Sequence, residues 1–227
     1  MSVANVTVFG GSGFVGRHVV RKLARAGAGV RVAVRHPDRA LFLKSMGDVG
    51  QITPVATNIR DDASVTAAVA GSDAVINLVG VLYEAGRQTF DAVHHQGSGR
   101  IAHAAKTAGV GHLVQVSAIG ADIEAGSKYA RSKAAGEAAV RVAFPNAAVI
   151  RPSIVFGADD NFFNLTYSSL DDEEKEEYLK EYLGYINDVE WFIYKLSDMS
   201  SKLVREHKEK MIRSRYGLKY LNDHRNR

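Results

Sequence analysis

The sequence contains no cysteine. Disulfides and thiolate metal centres are therefore excluded, and a reducing compartment is allowed without being required. Charge of one sign is also scarce: 29 Lys and Arg stand against 25 Asp and Glu, a formal net charge of +4. The basic residues are scattered rather than clustered with aromatics, which argues against nucleic acid as a partner. No apolar run approaches the roughly 20 residues that a helix needs to cross a bilayer, and no cleavable signal precedes the first strand. These absences lead to the expectation of a soluble, untargeted protein, and 227 residues suffice to bury a real core.

Alanine also disappears part-way along the chain. Residues 1–164 contain 30 Ala, 19 Gly and 2 Tyr, whereas residues 165–227 contain no Ala, 2 Gly and 7 Tyr. Two parts with different structural jobs are expected, a domain over 1–164 and a tail over 165–227. The tail is either a natural extension or a fused or grafted segment.

What the first part has in abundance is glycine at one place. In VTVFGGSGFVGRHVV, Val6–Phe9 reads as a short buried strand, and the glycines at 10, 11, 13 and 16 break it into a turn. From Phe14 the apolar spacing becomes helical. A pyrophosphate needs bare backbone N–H groups at a helix N-terminus, where the helix dipole favours negative charge and side chains would obstruct the approach. The spacing Gly10, Gly13, Gly16 is G-x-x-G-x-x-G rather than G-x-G-x-x-G. A ligand-free glycine turn is the bland alternative, and its place between a first strand and a continuous helix favours nucleotide binding.

The rest of the domain alternates. A helix to about Ala26, a strand over Val30–Val34, a short helix over 38–47, a strand QITPVATN and a helix from an Asp61 cap to Ala70 follow one another. Then come the strand SDAVINLVG ending at Gly80, a helix over about Phe90–Ala108, and a fifth strand HLVQVS ending at Ser117. This alternation predicts an α/β fold, a doubly wound parallel Rossmann-like sheet with a C-terminal helical extension. Gly10, Arg35, Asn58, Gly80 and Ser117 all fall at the carboxyl ends of strands, where such sheets bind ligands. Arg35 stands where an NAD site carries an acid that accepts from the ribose 2′-OH. An arginine cannot accept but can pair with a 2′-phosphate, so NADP(H) is expected over NAD(H), with a plain solvated loop charge as the alternative.

A second motif is SKYARSKAAGEAAV. Tyr129 and Lys133 lie one turn apart on one face of an alanine-rich helix. A neighbouring lysine favours the phenolate and should bring the Tyr129 pKa toward working pH, making it a proton donor or acceptor for a substrate oxygen.

FGGSGFVG, NLVG, VSAIGA, YARSK and RPSIVFG, in that order and at those intervals, resemble the extended and atypical short-chain dehydrogenase/reductases. More narrowly, residues 5–164 resemble the nucleotide-binding accessory subunit family of respiratory complex I and its proteobacterial relatives. The resemblance implies that Gly10, Gly13 and Gly16 hold the pyrophosphate, with Gly11, Ser12, Phe14 and Val15 completing the loop, and that Arg35 takes the adenosine ribose phosphate. Asn58 and Ile59 would flank the adenine, Val79 and Gly80 would line the cofactor, and Lys133 would hydrogen-bond the nicotinamide ribose. Tyr129 with Ser117 would face a carbonyl or alcohol. It also implies association with complex I and a bacterial-like cytoplasmic location, or one peripheral to the inner membrane.

The sequence departs from that family at Phe9, where Thr is usual, at Asn58, where Asp is usual, and at Ala118, often a second hydroxyl. After RPSIVFG the family's substrate region is not recognisable. In its place, Ser169 and Asp172 have capping-box spacing, and Leu179, Tyr182, Ile186, Val189, Ile193 and Leu196 step by three and four. That pattern predicts a helical hairpin, packing on the domain or on a copy of itself. An NAD(P)(H)-binding protein with weak or no turnover is the expectation, and an active oxidoreductase or epimerase-like enzyme using Tyr129 and Lys133 is the alternative.

Overall fold

The computed structural model describes residues 5–153 and 155. The expected tail over 165–227, with its helical hairpin and any self-association through it, lies outside the described residues.

Among the described residues six strands, β1 (Asn5–Phe9), β2 (Gly29–Val34), β3 (Ile52–Ala56), β4 (Ala74–Asn77), β5 (His112–Val116) and β6 (Ala148–Ile150), form one sheet in the order β3-β2-β1-β4-β5-β6. Every pairing is parallel. Four α-helices intervene: α1 (Phe14–Arg25), α2 (Asp62–Val69), α3 (Gly97–Thr107) and α4 (Lys128–Ala143). α1 packs with a 3-10 helix over Pro37–Met46 on one face, and α2, α3 and α4 pack side by side on the other. This is the doubly wound, Rossmann-like architecture. Strand order reverses between β1 and β4, so the connections leaving those two strands diverge and open a crevice beyond their carboxyl ends.

Burial explains why the strand sequences are continuous rather than alternating. Val6, Thr7, Val8 and Phe9 of β1 are all buried, as a parallel strand covered on both faces requires. The polar member of that run is satisfied locally: the Thr7 hydroxyl donates to the Ala68 carbonyl at 2.9 Å. Phe9, Val65, Val69, Val75, Ile101, Leu113 and Val140 join strands to α2, α3 and α4 in one core. Each large side chain so buried contributes about 1.5–3 kcal/mol. The caps follow their residue types as well, the Asp61 carboxylate accepting from the Ser64 N–H at 2.6 Å at the start of α2.

Four elements differ from expectation. β4 stops at Asn77 rather than Gly80, because the Asn77 side-chain oxygen accepts from the Val79 N–H at 3.0 Å and turns the chain out of the sheet. The helix expected over Phe90–Ala108 begins with a π-helical turn, Asp91–Gln96, and the short helix near 38–47 is 3-10. The three-residue strand β6 has no counterpart in the sequence reading, being too short to show a period of its own.

Candidate functional site

The glycine loop lies at the reversal point. Gly10 follows β1 with φ +77°, in the left-handed region open to glycine, and a Cβ there would press on the backbone of Leu78 and Val79 at 3.2 Å. The loops leaving β1 and β4 therefore touch. Gly13 is the exposed N-cap of α1, with no side-chain cap and no acidic residue in the first turn. Its first N–H groups have no intrahelical partner, the arrangement that suits an anion at a helix N-terminus. Gly16 sets the closeness of the loop to the helix, since a Cβ would overlap the Gly10 oxygen and the Gly11 backbone. Gly11 has a different job: it is buried, and its missing side chain makes room for Val32 and Val20. Ser12 and Val15 are half-buried, and Phe14 meets the His18 ring edge-on at 5.9 Å. A bare helix N-terminus held close to a turn without side chains fits a dinucleotide pyrophosphate.

At the adenosine end, Arg35 follows β2 and is exposed, and its Nη1 donates to the Gln88 side-chain oxygen at 2.6 Å. Asn58 is exposed and forms a turn of its own, its side-chain oxygen accepting from the Arg60 N–H at 3.1 Å. The Ile59 side chain is packed against Gly97 at the start of α3 and belongs to the core margin, and its carbonyl accepts from Arg100 Nη1 at 2.9 Å. Val79 is also packed on the core, and Gly80 is exposed.

At the other end, the site is built around α4. Lys133 is buried, 6% exposed, and its Nζ donates to the Val116 carbonyl at the end of β5 at 3.1 Å. Burial lowers its pKa to about 8, with Glu137 opposing. Tyr129 is half-buried, and its ring stands edge-on to Phe90 at 5.7 Å and to His94 at 5.3 Å. Its hydroxyl makes no hydrogen bond among the described residues, and burial pushes the phenol pKa up. The expectation that Lys133 brings it down is therefore corrected: desolvation of the phenolate dominates.

Two buried polar assemblies around this pair are not visible in local sequence. In the first, the Val81 N–H donates to His94 Nε2 at 3.0 Å, so the ring proton sits on Nδ1 and faces the Ser132 hydroxyl at 2.9 Å. Ser132 in turn donates to the Tyr129 carbonyl at 2.7 Å. Burial, then the Lys133 charge, lowers the His94 pKa to about 4 and keeps the ring neutral. Gly80, Lys133 and His94 converge here: a Cβ on Gly80 would sit 3.7 Å from His94 Nε2 and 4.0 Å from Lys133 Nζ.

In the second, the buried Glu137 carboxylate accepts two hydrogen bonds from Arg151, both at 2.8 Å. Burial works against its charge. The hydrogen bonds and charges of Arg151 outweigh that and hold Glu137 below the usual carboxylate range, helped by the nearby Ser117 hydroxyl. Ser117 Oγ is buried and lies close enough to influence that carboxylate, yet has no hydrogen bond of ordinary geometry among the described residues. A further chain runs from Val79 N–H through Asn77 to Gln115 at 2.8 Å, and Gln115 donates to the same Val116 carbonyl that Lys133 uses, at 3.0 Å. Among the described residues no cluster of His, Cys, Asp and Glu is arranged to hold a metal ion.

Residues 10–176 match the family model described as NAD(P)H-binding. This chain belongs to that NAD(P)H-binding family. It is 43% identical over 159 residues to the mouse NADH dehydrogenase [ubiquinone] 1 alpha subcomplex subunit 9, mitochondrial, which covers 70% of this chain and 42% of that protein. It is 32% identical over 155 residues to a ceramide reductase of Caulobacter vibrioides, covering 68% of this chain and 47% of that one. The chain thus spans less than half the length of these curated relatives. Among solved structures, the Bordetella bronchiseptica enzyme WbmH in complex with NAD+ superposes with a TM-score of 0.60 at 19% identity, over 74% of this chain and 62% of that one. That likeness shows the Rossmann-like fold.

The domain is therefore an NAD(P)H-binding domain with a Rossmann-like fold, and no helix among the described residues is long and apolar enough to cross a membrane. The expectation of a bacterial-like cytoplasmic location is overturned, because the relatives near 40% identity are named as mitochondrial.

Proposed function

We propose that this chain holds NADP(H) in preference to NAD(H) and turns it over weakly or not at all. The observation that carries the preference is Arg35, exposed at the carboxyl end of β2 and bonded, among the described residues, to one neutral amide. A guanidinium in that place exchanges a neutral acceptor for a charged 2′-phosphate, where an acidic residue would have selected a free hydroxyl. The N–H groups after Gly13 hold the pyrophosphate, the Asn58 amide reaches the adenine, and Lys133 orders the nicotinamide ribose. When bound, the cofactor supplies the hydride.

Weak turnover is supported by the proton-transfer side. Tyr129 is a weaker acid than an exposed phenol, because its phenolate is desolvated in the half-buried position it takes. The sequence after RPSIVFG supplies no recognisable wall to place a substrate against both, and a misplacement of about 1 Å costs on the order of a hundredfold in rate. By likeness to the mouse relative, the partner is respiratory complex I and the location mitochondrial.

A second reading is favoured by one observation, a buried Lys133 one helical turn from Tyr129, in a chain that is also similar to a ceramide reductase. In that reading Tyr129 passes a proton to a carbonyl oxygen. Titration with NADPH and NADH tests the cofactor preference: NADPH should bind about tenfold tighter or more, and Arg35→Asp should reverse the order. Equal dissociation constants overturn it. NADPH consumption across sugar-nucleotide, lipid-ketone and quinone panels tests turnover, and robust activity abolished by Tyr129→Phe establishes the second reading.

A further inference from the structure

The segment between β4 and the π-helical turn, residues 81–90, has an unusual reach. β4 lies beside β1, and β2 and β3 lie beyond β1 on its other side. Adjacent strands are about 4.8 Å apart, so contacts between a segment that leaves β4 and residues after β2 and β3 bridge roughly 10–14 Å, part of it covered by the side chains that meet. It does touch both. The Gln88 side chain accepts from Arg35, which follows β2, and the Arg87 carbonyl accepts from Arg60 Nη1 at 2.8 Å, after β3. The segment is therefore a strap tied by two arginine side chains to the chain that follows β2 and β3, on the adenosine side of the strand-order reversal.

Its shape is specified internally. Ala85 and Gln88 exchange two backbone hydrogen bonds, at 3.1 and 3.0 Å, and close a tight turn whose Gly86 has φ +53°. The Glu84 carboxylate accepts from the Phe90 N–H at 2.8 Å and pins the base of the strap. Gln88 is half-buried, and this turn holds its backbone where its amide oxygen reaches Arg35.

We propose that Gln88 is a specificity-determining residue: a built-in competitor that occupies Arg35 in the free protein and yields it only to an anionic ligand group. The inference rests on the reading of Arg35 as the 2′-phosphate contact. A neutral amide oxygen is a weaker acceptor for guanidinium than a phosphate dianion, so a 2′-phosphate displaces it and a ribose hydroxyl does not. The strap taxes NADPH binding by the strength of one hydrogen bond, and leaves Arg35 masked when NADH binds. The Arg60 tether to the Arg87 carbonyl is independent of this exchange and keeps the strap in place.

Fluorescence titration of the full chain with NADPH and with NADH tests it in three variants. Gln88→Ala releases Arg35 and should tighten NADPH about two- to tenfold, with NADH unchanged within about twofold. Gln88→Glu replaces the neutral competitor with a charged one and should weaken NADPH by about tenfold or more, again sparing NADH. Arg35→Ala should weaken NADPH and abolish its response to residue 88. If Gln88→Ala weakens NADPH or leaves it unchanged while Arg35→Ala weakens it, Gln88 is not a competitor and the 2′-phosphate reading stands alone. If Arg35→Ala retains full NADPH affinity, the 2′-phosphate reading and this proposal fall together.

Discussion

Lys133 Nζ donates to the Val116 carbonyl at 3.1 Å, placing a buried cation at the end of β5 where strand and helix α4 meet. Burial costs that cation enough to bring its pKa to about 8, against about 10.4 for the unfolded chain. Between those values the unfolded state binds the extra proton, so stability should rise as pH increases from about 8 to about 10.4. The full rise is on the order of 3 kcal/mol. Urea denaturation at a series of alkaline pH values measures it, and Lys133→Met should lose this component of the slope. An identical pH dependence in the two proteins would show that the ammonium is not desolvated.

The acid side depends on His94 and Glu137. His94 has its pKa lowered to about 4 by burial and the Lys133 charge, so it contributes stability at neutral pH that is lost as pH falls from about 6.5 to about 4. Glu137, held below the carboxylate range, adds a second loss below about pH 4.3. The His94 ring resonances should stay those of a neutral, Nδ1-protonated imidazole through pH 6, as read by NMR. Titration near 6.5 would contradict the buried Val81–His94–Ser132 network.

Arg151 is half-exposed while Glu137 is 6% exposed on its side chain, so removing the two partners has unequal effects. Arg151→Met leaves a buried carboxylate without its cation and should cost about 3 kcal/mol. Glu137→Gln, which keeps shape and leaves an arginine free to reach water, should cost less. A double-mutant cycle by chemical denaturation separates the pair from its parts. Equal costs for the two single variants would mean that the carboxylate is wetter than its burial indicates.

The glycines of the loop should also separate. Gly16→Ala drives a methyl group into the Gly10 and Gly11 backbone and should cost about 2–3 kcal/mol together with dinucleotide binding. Gly13→Ala meets only the Gly10 oxygen, at 3.3 Å, so stability should change by less than about 1 kcal/mol while binding falls. Thermal melts with and without NADPH distinguish the two. Gly136→Ala should be destabilising as well, because its methyl group would overlap the His94 carbonyl.

Much of this fold is written in local order. The run Val6–Phe9 followed by spaced glycines, the Asp61 cap three residues before the N–H it accepts from, and the helical spacing after Phe14 are each decided within a few residues, where backbone preference and apolar periodicity act. Alternation of such segments is enough to imply a parallel doubly wound sheet and a crevice at its carboxyl ends. What only the tertiary structure decided is which polar groups are buried and with whom. Asn77 meets Gln115 across 38 residues, His94 meets Ser132 across 38, and Arg35 meets Gln88 across 53. The burial of Glu137 against Arg151 likewise depends on β6, whose three residues carry no period. A polar side chain looks the same in sequence whether water or a distant partner satisfies it. Its pKa and its role follow from its surroundings in the fold: the upward direction of the Tyr129 shift comes from burial of the phenol, which local sequence does not show.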